Sequence, residues 1–221
     1  MSQFDDLRAH LKAIRTLARG VTKGLSQLDA EPDPIPLFRR WWKEAEESGL
    51  LLPESTALAT ASSDAVPSVR MVLLKGVDER GFRFFTNYES RKGVELESNA
   101  RAALCFHWSI LERQVRVEGT VTRLTPEESD AYFQTRDRGS RIGAWASDQS
   151  RPIADRAAFE TRVAEAKARF GDGDVPCPPH WGGYTISPVY IEFWQGRADR
   201  LHDRLVYTRS TDEWKITRLQ P

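Results

Sequence analysis

The segment Gln114-Val-Arg-Val-Glu-Gly-Thr-Val-Thr-Arg-Leu124 decides the class of fold. Val115, Val117, Gly119 and Val121 fall on one face of an extended chain, while Gln114, Arg116 and Glu118 fall on the other. That is the period of a strand with one buried side. Directly after it, Thr125-Pro-Glu-Glu128 has the form of a capping box with proline at the first helical position, so a helix to about Thr135 is expected. Upstream, β-branched and aromatic runs predict strands over 56–62, 68–75, 82–87 and 102–108, interrupted by a helical segment over 90–98. Downstream, Phe159, Val163, Ala166 and Phe170 mark a helix over about 154–170. The proline-rich loop Val175-Pro-Cys-Pro-Pro179 follows, then strands near 184–186, 189–195, 201–209 and 213–219. Strands on both sides of a helical insertion predict a mainly β chain with flanking helices, an α+β arrangement in which distant segments complete one barrel.

The N-terminal part reads differently. Phe4, Leu7, Leu11 and Ile14 recur at helical spacing over about 18 residues. Gly20 and Gly24 break that pattern, and Glu31-Pro-Asp-Pro-Ile-Pro36 reads as extended. A helix is expected over 37–48, stopped by Gly49. Residues 1–32 therefore read as an arm and linker, and residues 33–221 as a single domain.

Lys plus Arg is 32 and Asp plus Glu is 32, so no global field draws this chain to nucleic acid or to an anionic membrane. No apolar run approaches the roughly 20 residues of a membrane span, and a cytoplasmic protein is expected. The four histidines and the two cysteines, Cys105 and Cys177, show no metal-site spacing, so no metal is expected. Cys105 reads as a small buried hydrophobe. Trp41, Trp42, Trp108 and Trp145 read as packing or subunit contacts.

The chemistry is carried by local basic clusters. In Arg200-Leu-His-Asp-Arg204, strand alternation would place Arg200, His202 and Arg204 on one face, a set suited to an anionic planar ligand. A charged outer face pairing with carboxylates elsewhere accounts for the same pattern. Ser90-Arg-Lys-Gly93 opens a helix, where free N–H groups and neighbouring cations favour an anion; a serine cap beside solvated charges is the other reading. Arg70-Met-Val-Leu-Leu-Lys75 is bracketed by cations that face opposite sides of an ideal strand, so they serve different ligands or the strand bends. Gln114 is a neutral amide able to meet the edge of a heterocycle, or a surface glutamine. No glycine-rich dinucleotide or triphosphate loop is present.

In order along the chain, Arg70-Met-Val-Leu-Leu-Lys75, Phe85-Thr-Asn87, Ser90-Arg-Lys92, Glu112-Arg-Gln114, Arg141-Ile-Gly-Ala-Trp145, Gln149-Ser150, Glu192-Phe-Trp-Gln-Gly196, Arg200-Leu-His-Asp-Arg204 and Arg218-Leu-Gln-Pro221 resemble the pyridoxine/pyridoxamine 5'-phosphate oxidase family. That resemblance covers about Asp33 to Pro221 and implies a homodimeric FMN-binding split β-barrel. It implies that FMN is held by Arg70, Met71, Val72, Leu73, Leu74, Lys75, Phe85, Thr86, Arg91, Lys92 and Gln114, with Gln149, Ser150, Trp194 and Arg204 contributed across the subunit interface. It further implies that Lys75, Tyr132, Arg136 and Ser140 meet the phosphate of a small pyridine substrate, and that Arg200 and His202 cover its ring as the catalytic pair. Tyr132 and Arg136, four apart, share a helix face.

The implied reaction oxidises pyridoxine or pyridoxamine 5'-phosphate to pyridoxal 5'-phosphate, with molecular oxygen as electron acceptor and hydrogen peroxide as product. One departure stands out: family members commonly carry an N-terminal Arg-x-x-Tyr segment, whereas the stretch near Leu17 to Val21 has no tyrosine. Arg15 and Arg19 are the basic groups available there. Two other readings compete: a related FMN oxidase of a phenazine precursor, and a non-catalytic FMN or pyridoxal-phosphate binding protein. Four phosphate-directed groups, Lys75, Tyr132, Arg136 and Ser140, argue against the first. The presence of Arg200 and His202 argues against the second.

Overall fold

The computed structural model describes residues 24–25, 31–211 and 213–221. The expected helix over the first 18 residues, and Arg15, Arg19 and the Leu17–Val21 stretch, lie outside them.

Helix α1, Pro34–Glu47, begins three residues before the expected start because Asp33 caps it, accepting from the Ile35 N–H at 2.8 Å. Pro34 is tolerated at the first helical position, where an N–H has no intrahelical partner. Leu37, Phe38, Trp41 and Ala45 form its buried face. Strands β1 (Ser55–Ala61), β2 (Pro67–Leu73), β3 (Gly76–Asp78) and β4 (Gly81–Asn87) follow, then helix α2 (Arg91–Ser98) and strands β5 (Arg101–Trp108) and β6 (Arg113–Arg123). Helices α3 (Pro126–Gln134), α4 (Arg138–Ala146) and α5 (Arg156–Phe170) lead to β7 (Trp181–Gln195), β8 (Asp203–Ser210) and β9 (Glu213–Leu219). The nine strands pair in the order β2-β1-β5-β6-β7-β4-β3, with β8 on β7 and β9 on β8. A mainly β chain with flanking helices is what the alternation in β6 predicts, and Val115, Val117, Gly119 and Val121 are its buried residues.

Four local expectations are corrected. Strand β2 ends at Leu73, and Lys75 lies beyond it, its N–H donating to the Arg83 carbonyl at 2.8 Å as the chain turns into β3. The second reading of this segment therefore applies, because the strand breaks between Arg70 and Lys75. Helix α4 was not anticipated, since Gly139 and Gly143 weaken its helical signal; Asp137 caps it instead. Strand β7 is continuous through Pro188, where two strands were expected. Finally, Arg200, His202 and Arg204 do not share a strand face. The β7–β8 register pairs Gln195 with Asp203, which leaves residues 196–202 to reverse the chain. Ala198–Arg200 is accordingly a 3-10 turn, with Asp199 and Arg200 at φ of 56° and 61°.

The chain divides into two compact units. One comprises the described residues through Ala57 together with Leu104–Glu118 and Pro188–Pro221. Its core is aromatic: Phe38 meets Phe106 edge-on at 5.1 Å, and Trp41 meets Phe193 at 5.2 Å. Truncating the fully buried Phe38 to alanine would cost about 3–5 kcal/mol. Trp108 is also core, as expected, with its Nε1–H donating to the Pro53 carbonyl. Cys105 is half-buried rather than buried, because alternation in β5 turns Leu104 and Phe106 inward and Cys105 outward. Burial still pushes its thiol pKa up, consistent with an unreactive side chain.

The second unit comprises Leu58–Ala103 and Gly119–Ser187. Its helical side packs around Phe133, Ile142, Ala146, Ala166, Val175 and Trp181, with Trp145 and Cys177 against that cluster. No helix among the described residues is long and apolar enough to cross a membrane.

Candidate active site

A cavity of about 860 Å³ opens within the second unit, inside the size range of small-molecule and cofactor sites. Its walls include Met71, Val72 and Leu73 from the end of β2, Lys75 just beyond it, Phe85 and Thr86 from β4, and Lys92 from α2. Tyr132, Arg136 and Ser140 come from α3, its C-terminal turn and α4; Gln149 and Trp181 complete the set. Eleven residues expected from the sequence to bind cofactor or substrate thus share one cavity: Met71, Val72, Leu73, Lys75, Phe85, Thr86, Lys92, Tyr132, Arg136, Ser140 and Gln149.

The position of α3 follows from its start and from two glycines beneath it. The capping box forms in full: the Thr125 hydroxyl accepts from the Glu128 N–H at 3.2 Å, and the Glu128 carboxylate accepts from the Thr125 N–H at 3.0 Å. At Gly182 and Gly183 of β7 a Cβ would lie 2.1 Å from the Tyr88 hydroxyl and 2.5 Å from Leu124. Without side chains there, the helix can sit close enough for the Ser129 hydroxyl to accept from the Gly183 N–H at 3.2 Å. One turn later Tyr132 stacks on Phe85, with ring centroids 3.9 Å apart and planes 20° from parallel. Phe85 in turn stacks on Trp181 at 5.6 Å.

Arg136, just past the end of α3, lies over the Trp181 ring at 4.7 Å. Asp137 beside it is occupied elsewhere, accepting from the Ser140 N–H at 2.9 Å and from the Ser140 hydroxyl at 2.6 Å. Among the described residues Arg136 forms no ion pair, and its Nη1 is buried with no hydrogen-bond partner. Burial lowers its pKa, opposed by Tyr132, Asp137 and Cys177; the guanidinium stays charged. A charged donor of this kind, lining a cavity and unmatched by the protein, suits an anionic group on a ligand.

A second cationic corner surrounds Lys92. Its ammonium donates to the Thr86 hydroxyl at 3.1 Å, the Ser90 hydroxyl at 3.1 Å and the Gln149 side-chain oxygen at 3.2 Å, all neutral acceptors. Burial and then repulsion from Arg70 push its pKa down to about 8, with Glu95 opposing. Ser90 is the helix cap, its hydroxyl accepting from the Gly93 N–H. The serine-cap reading is correct for Ser90, whereas Lys92 is buried rather than solvated. Gln149 reaches this corner within a single chain, bonding to Thr86 as well as Lys92.

Arg70, Leu74 and Arg91 do not line the cavity. Leu74 is core, at 1% exposure. Arg70 donates to Thr60, Ser68, the Leu58 carbonyl and the buried Glu95 carboxylate. Arg91 also pairs with Glu95, at 2.9 Å. Burial pushes the Glu95 carboxyl up, but hydrogen bonds from Ser68, Thr60, Arg91 and Arg70 outweigh it and hold its pKa at about 2. Ser150 is exposed with φ 73°.

Gln114, Trp194, Arg200, His202 and Arg204 belong to the first unit. There, Trp194 and His202 rings lie 4.5 Å apart, and His202 Nδ1 accepts from the Arg197 N–H at 3.2 Å. Arg204 donates through Nε to the buried Glu192 at 2.7 Å and through Nη1 to the Gln220 carbonyl. For Arg204 the carboxylate-pairing reading therefore holds. Arg200 is exposed on its turn. Trp181 was missed at the sequence level, although the Gly182-Gly183 pair beside it signals close packing.

The chain matches the family Pyridoxamine 5'-phosphate oxidase over residues 43–170 and the Pyridoxine 5'-phosphate oxidase C-terminal dimerisation region over residues 181–221. A protein named pyridoxine/pyridoxamine 5'-phosphate oxidase from Rubrobacter xylanophilus is 58% identical over 198 residues, 90% of this chain and 91% of its own length. One of the same name from Cupriavidus metallidurans is 51% identical over the full length of both chains. Among solved structures, PhzG from Burkholderia lata in complex with tetrahydrophenazine-1-carboxylic acid is 34% identical with a TM-score of 0.86, covering 91% of this chain and 100% of that one. A pyridoxamine 5'-phosphate oxidase-related, FMN binding protein from Nostoc punctiforme, 18% identical with a TM-score of 0.69 over 87% of this chain and all of its own, shares the fold. The split-barrel architecture expected from the motif order is thus the fold of this chain. By these matches over nearly its whole length, the chain belongs to the pyridoxine/pyridoxamine 5'-phosphate oxidase family.

Proposed function

We propose that this chain oxidises pyridoxine 5'-phosphate and pyridoxamine 5'-phosphate to pyridoxal 5'-phosphate, using FMN, reducing molecular oxygen to hydrogen peroxide, and working as a homodimer. One observation carries the reading: a single cavity holds two buried or half-buried cations, Lys92 and Arg136, that form no ion pair among the described residues. Two anionic groups, one on a cofactor and one on a substrate, account for both. The relatives' shared name and the match to the C-terminal dimerisation region support the substrate and the dimer.

The residues present fit FMN. A buried ammonium surrounded only by neutral acceptors suits a cofactor phosphate at Lys92, and Met71, Val72, Leu73 and Phe85 offer the apolar wall that a flat ring system requires. When bound, FMN would supply the hydride acceptor and the path of electrons to oxygen. Arg70 and Arg91, locked on Glu95, add fixed positive charge beside Lys92, and Leu74 anchors the Arg70–Lys75 segment from the core. Gln114 and Gln149 complete the cofactor contacts from the same chain, where Gln149 contacts Lys92 rather than coming from the partner as the motif pattern implied, and Ser150, Trp194 and Arg204 come from the partner subunit.

Lys75, Tyr132, Arg136 and Ser140 hold the substrate phosphate, which fixes the carbon to be oxidised and removes the entropy of finding that pose. Arg200 and His202 act on the pyridine ring. Because His202 Nδ1 accepts the Arg197 N–H, the neutral imidazole carries its proton on Nε2 and presents a donor to the ring. That contact supports a role for His202 in orienting the substrate.

The 34% identity to PhzG favours one second reading, an oxidase of a phenazine precursor. One experiment separates the two. The protein is purified in air, co-eluting flavin is recorded, and aldehyde and peroxide are measured together after adding pyridoxine 5'-phosphate. Flavin with both products supports the proposal; flavin without aldehyde supports the second reading or a storage role; absence of flavin refutes the FMN assignment.

A further inference from the structure

We infer that Trp181 is a positioning residue for the substrate phosphate: its indole face holds the Arg136 guanidinium in place, so that it sets affinity for phosphorylated over unphosphorylated substrate. This rests on the assignment of Arg136 to the phosphate given above.

Three observations carry it. Arg136 has no carboxylate to fix its plane, because Asp137 is engaged by Ser140 and no other described residue pairs with it. A long side chain without such a partner loses rotamer freedom only when a ligand arrives, and that cost weakens binding. Packing supplies the missing constraint: the guanidinium carbon lies 4.7 Å from the Trp181 centroid and 5.5 Å from that of Phe133. Guanidinium planes stack on aromatic faces and leave their edge N–H groups free to donate.

Trp181 is itself held. It opens β7 opposite Asn87, is 8% exposed, packs edge-on against Phe133 at 5.0 Å, and lies parallel to Tyr132 at 6.3 Å with planes 6° apart. The indole thus touches the arginine directly and is aligned with the tyrosine through Phe85.

The test uses flavin-loaded wild type, Trp181→Leu and Trp181→Phe. Trp181→Leu should raise KM for pyridoxine 5'-phosphate about tenfold while kcat stays within about twofold, the pattern of lost uniform binding. The kcat/KM for unphosphorylated pyridoxine should fall much less, by no more than about twofold. Trp181→Phe keeps an aromatic face and should recover most of the loss, to within about threefold of wild type. The dissociation constant of inorganic phosphate, measured by calorimetry on the same three proteins, should follow KM. An unchanged KM in Trp181→Leu, or equal losses for both substrates, would overturn the inference. If Trp181→Leu does not fold, Trp181→Met takes its place as the variant without an aromatic face: a rise in phosphate dissociation constant with kcat kept supports the inference, and no rise refutes it. Should wild type fail to oxidise pyridoxine 5'-phosphate, the phosphate titration still reads the Trp181–Arg136 coupling, so failure of the functional assignment and failure of this inference give different results.

Discussion

Two arginines of the second unit are treated in opposite ways. Arg70 spends its donors on Thr60, Ser68 and a carboxylate that is 6% exposed, and a second arginine, Arg91, shares that carboxylate. Arg136 is set against aromatic rings, its neighbouring carboxylate is taken by a helix cap, and one of its nitrogens is left without a partner. A cation whose partners are all internal holds the fold and contributes a fixed field. A cation left with an unmet donor at a cavity is available to a ligand. The contrast separates residues that the motif pattern alone places together.

The comparison can be broken most directly at its two centres. Arg136→Met should reduce kcat/KM for pyridoxine 5'-phosphate by about 100-fold or more, since it removes a charge-assisted partner of a buried anion. Its thermal stability should stay within about 1 kcal/mol of wild type, because no internal pair is lost. Steady-state kinetics and thermal unfolding on one preparation check both halves. Glu95→Ala should do the reverse, costing about 3 kcal/mol of stability by removing the buried carboxylate that Arg70 and Arg91 share. Denaturant unfolding reads that loss. Its acid dependence gives a second check. The Glu95 pKa is held at about 2, below its ordinary 4.5, so the stabilisation is complete above that ordinary value and fades as pH falls toward the lower one. Wild type and Glu95→Ala should therefore converge in acid.

A smaller effect is expected at Lys92, whose pKa of about 8 lies below the ordinary 10.5. Between those values the unfolded chain binds more protons, so this group's contribution to stability of the flavin-free protein rises with pH. Affinity for the FMN phosphate should run the other way, weakening up to about tenfold per unit above pH 8 as the ammonium is lost. Flavin titrations from neutral to alkaline pH measure this, and Lys92→Arg should flatten the curve. The smallest change is Ser68→Ala, which removes one of the donors to Glu95 and should cost about 1 kcal/mol without altering KM. Unfolding together with kinetics would show whether the Glu95 cluster is as separate from substrate binding as its geometry indicates.

Much of this was legible in residue order. Alternation in β6 and the Thr125–Glu128 capping box are local patterns whose physics is complete within a few residues, and both appear as read. The cavity residues were legible as motifs, but their partition was not. Whether Arg70 turns toward Glu95 or toward a ligand depends on Thr60 and Glu95, at a distance in sequence that no spacing rule reaches. The same holds for Arg200 and His202: alternation predicts a strand, and only the pairing of Gln195 with Asp203 shows that the chain must reverse there. Helix α4 hid behind its glycines, and Pro188 concealed the continuity of β7, because local propensity is outweighed by pairing and packing with remote segments.

The paired glycines under α3 carry a consequence for how this protein can change. A methyl group at Gly182 or Gly183 would press on the side chains of Tyr88 and Ser129 or of Leu124 and Phe85, and an adjustment that moves the helix carries Tyr132 away from Phe85 and Arg136 away from Trp181. Substitutions that retune recognition are therefore better placed on the side chains projecting from that turn than at the glycines beneath it, where a change disturbs both contacts at once.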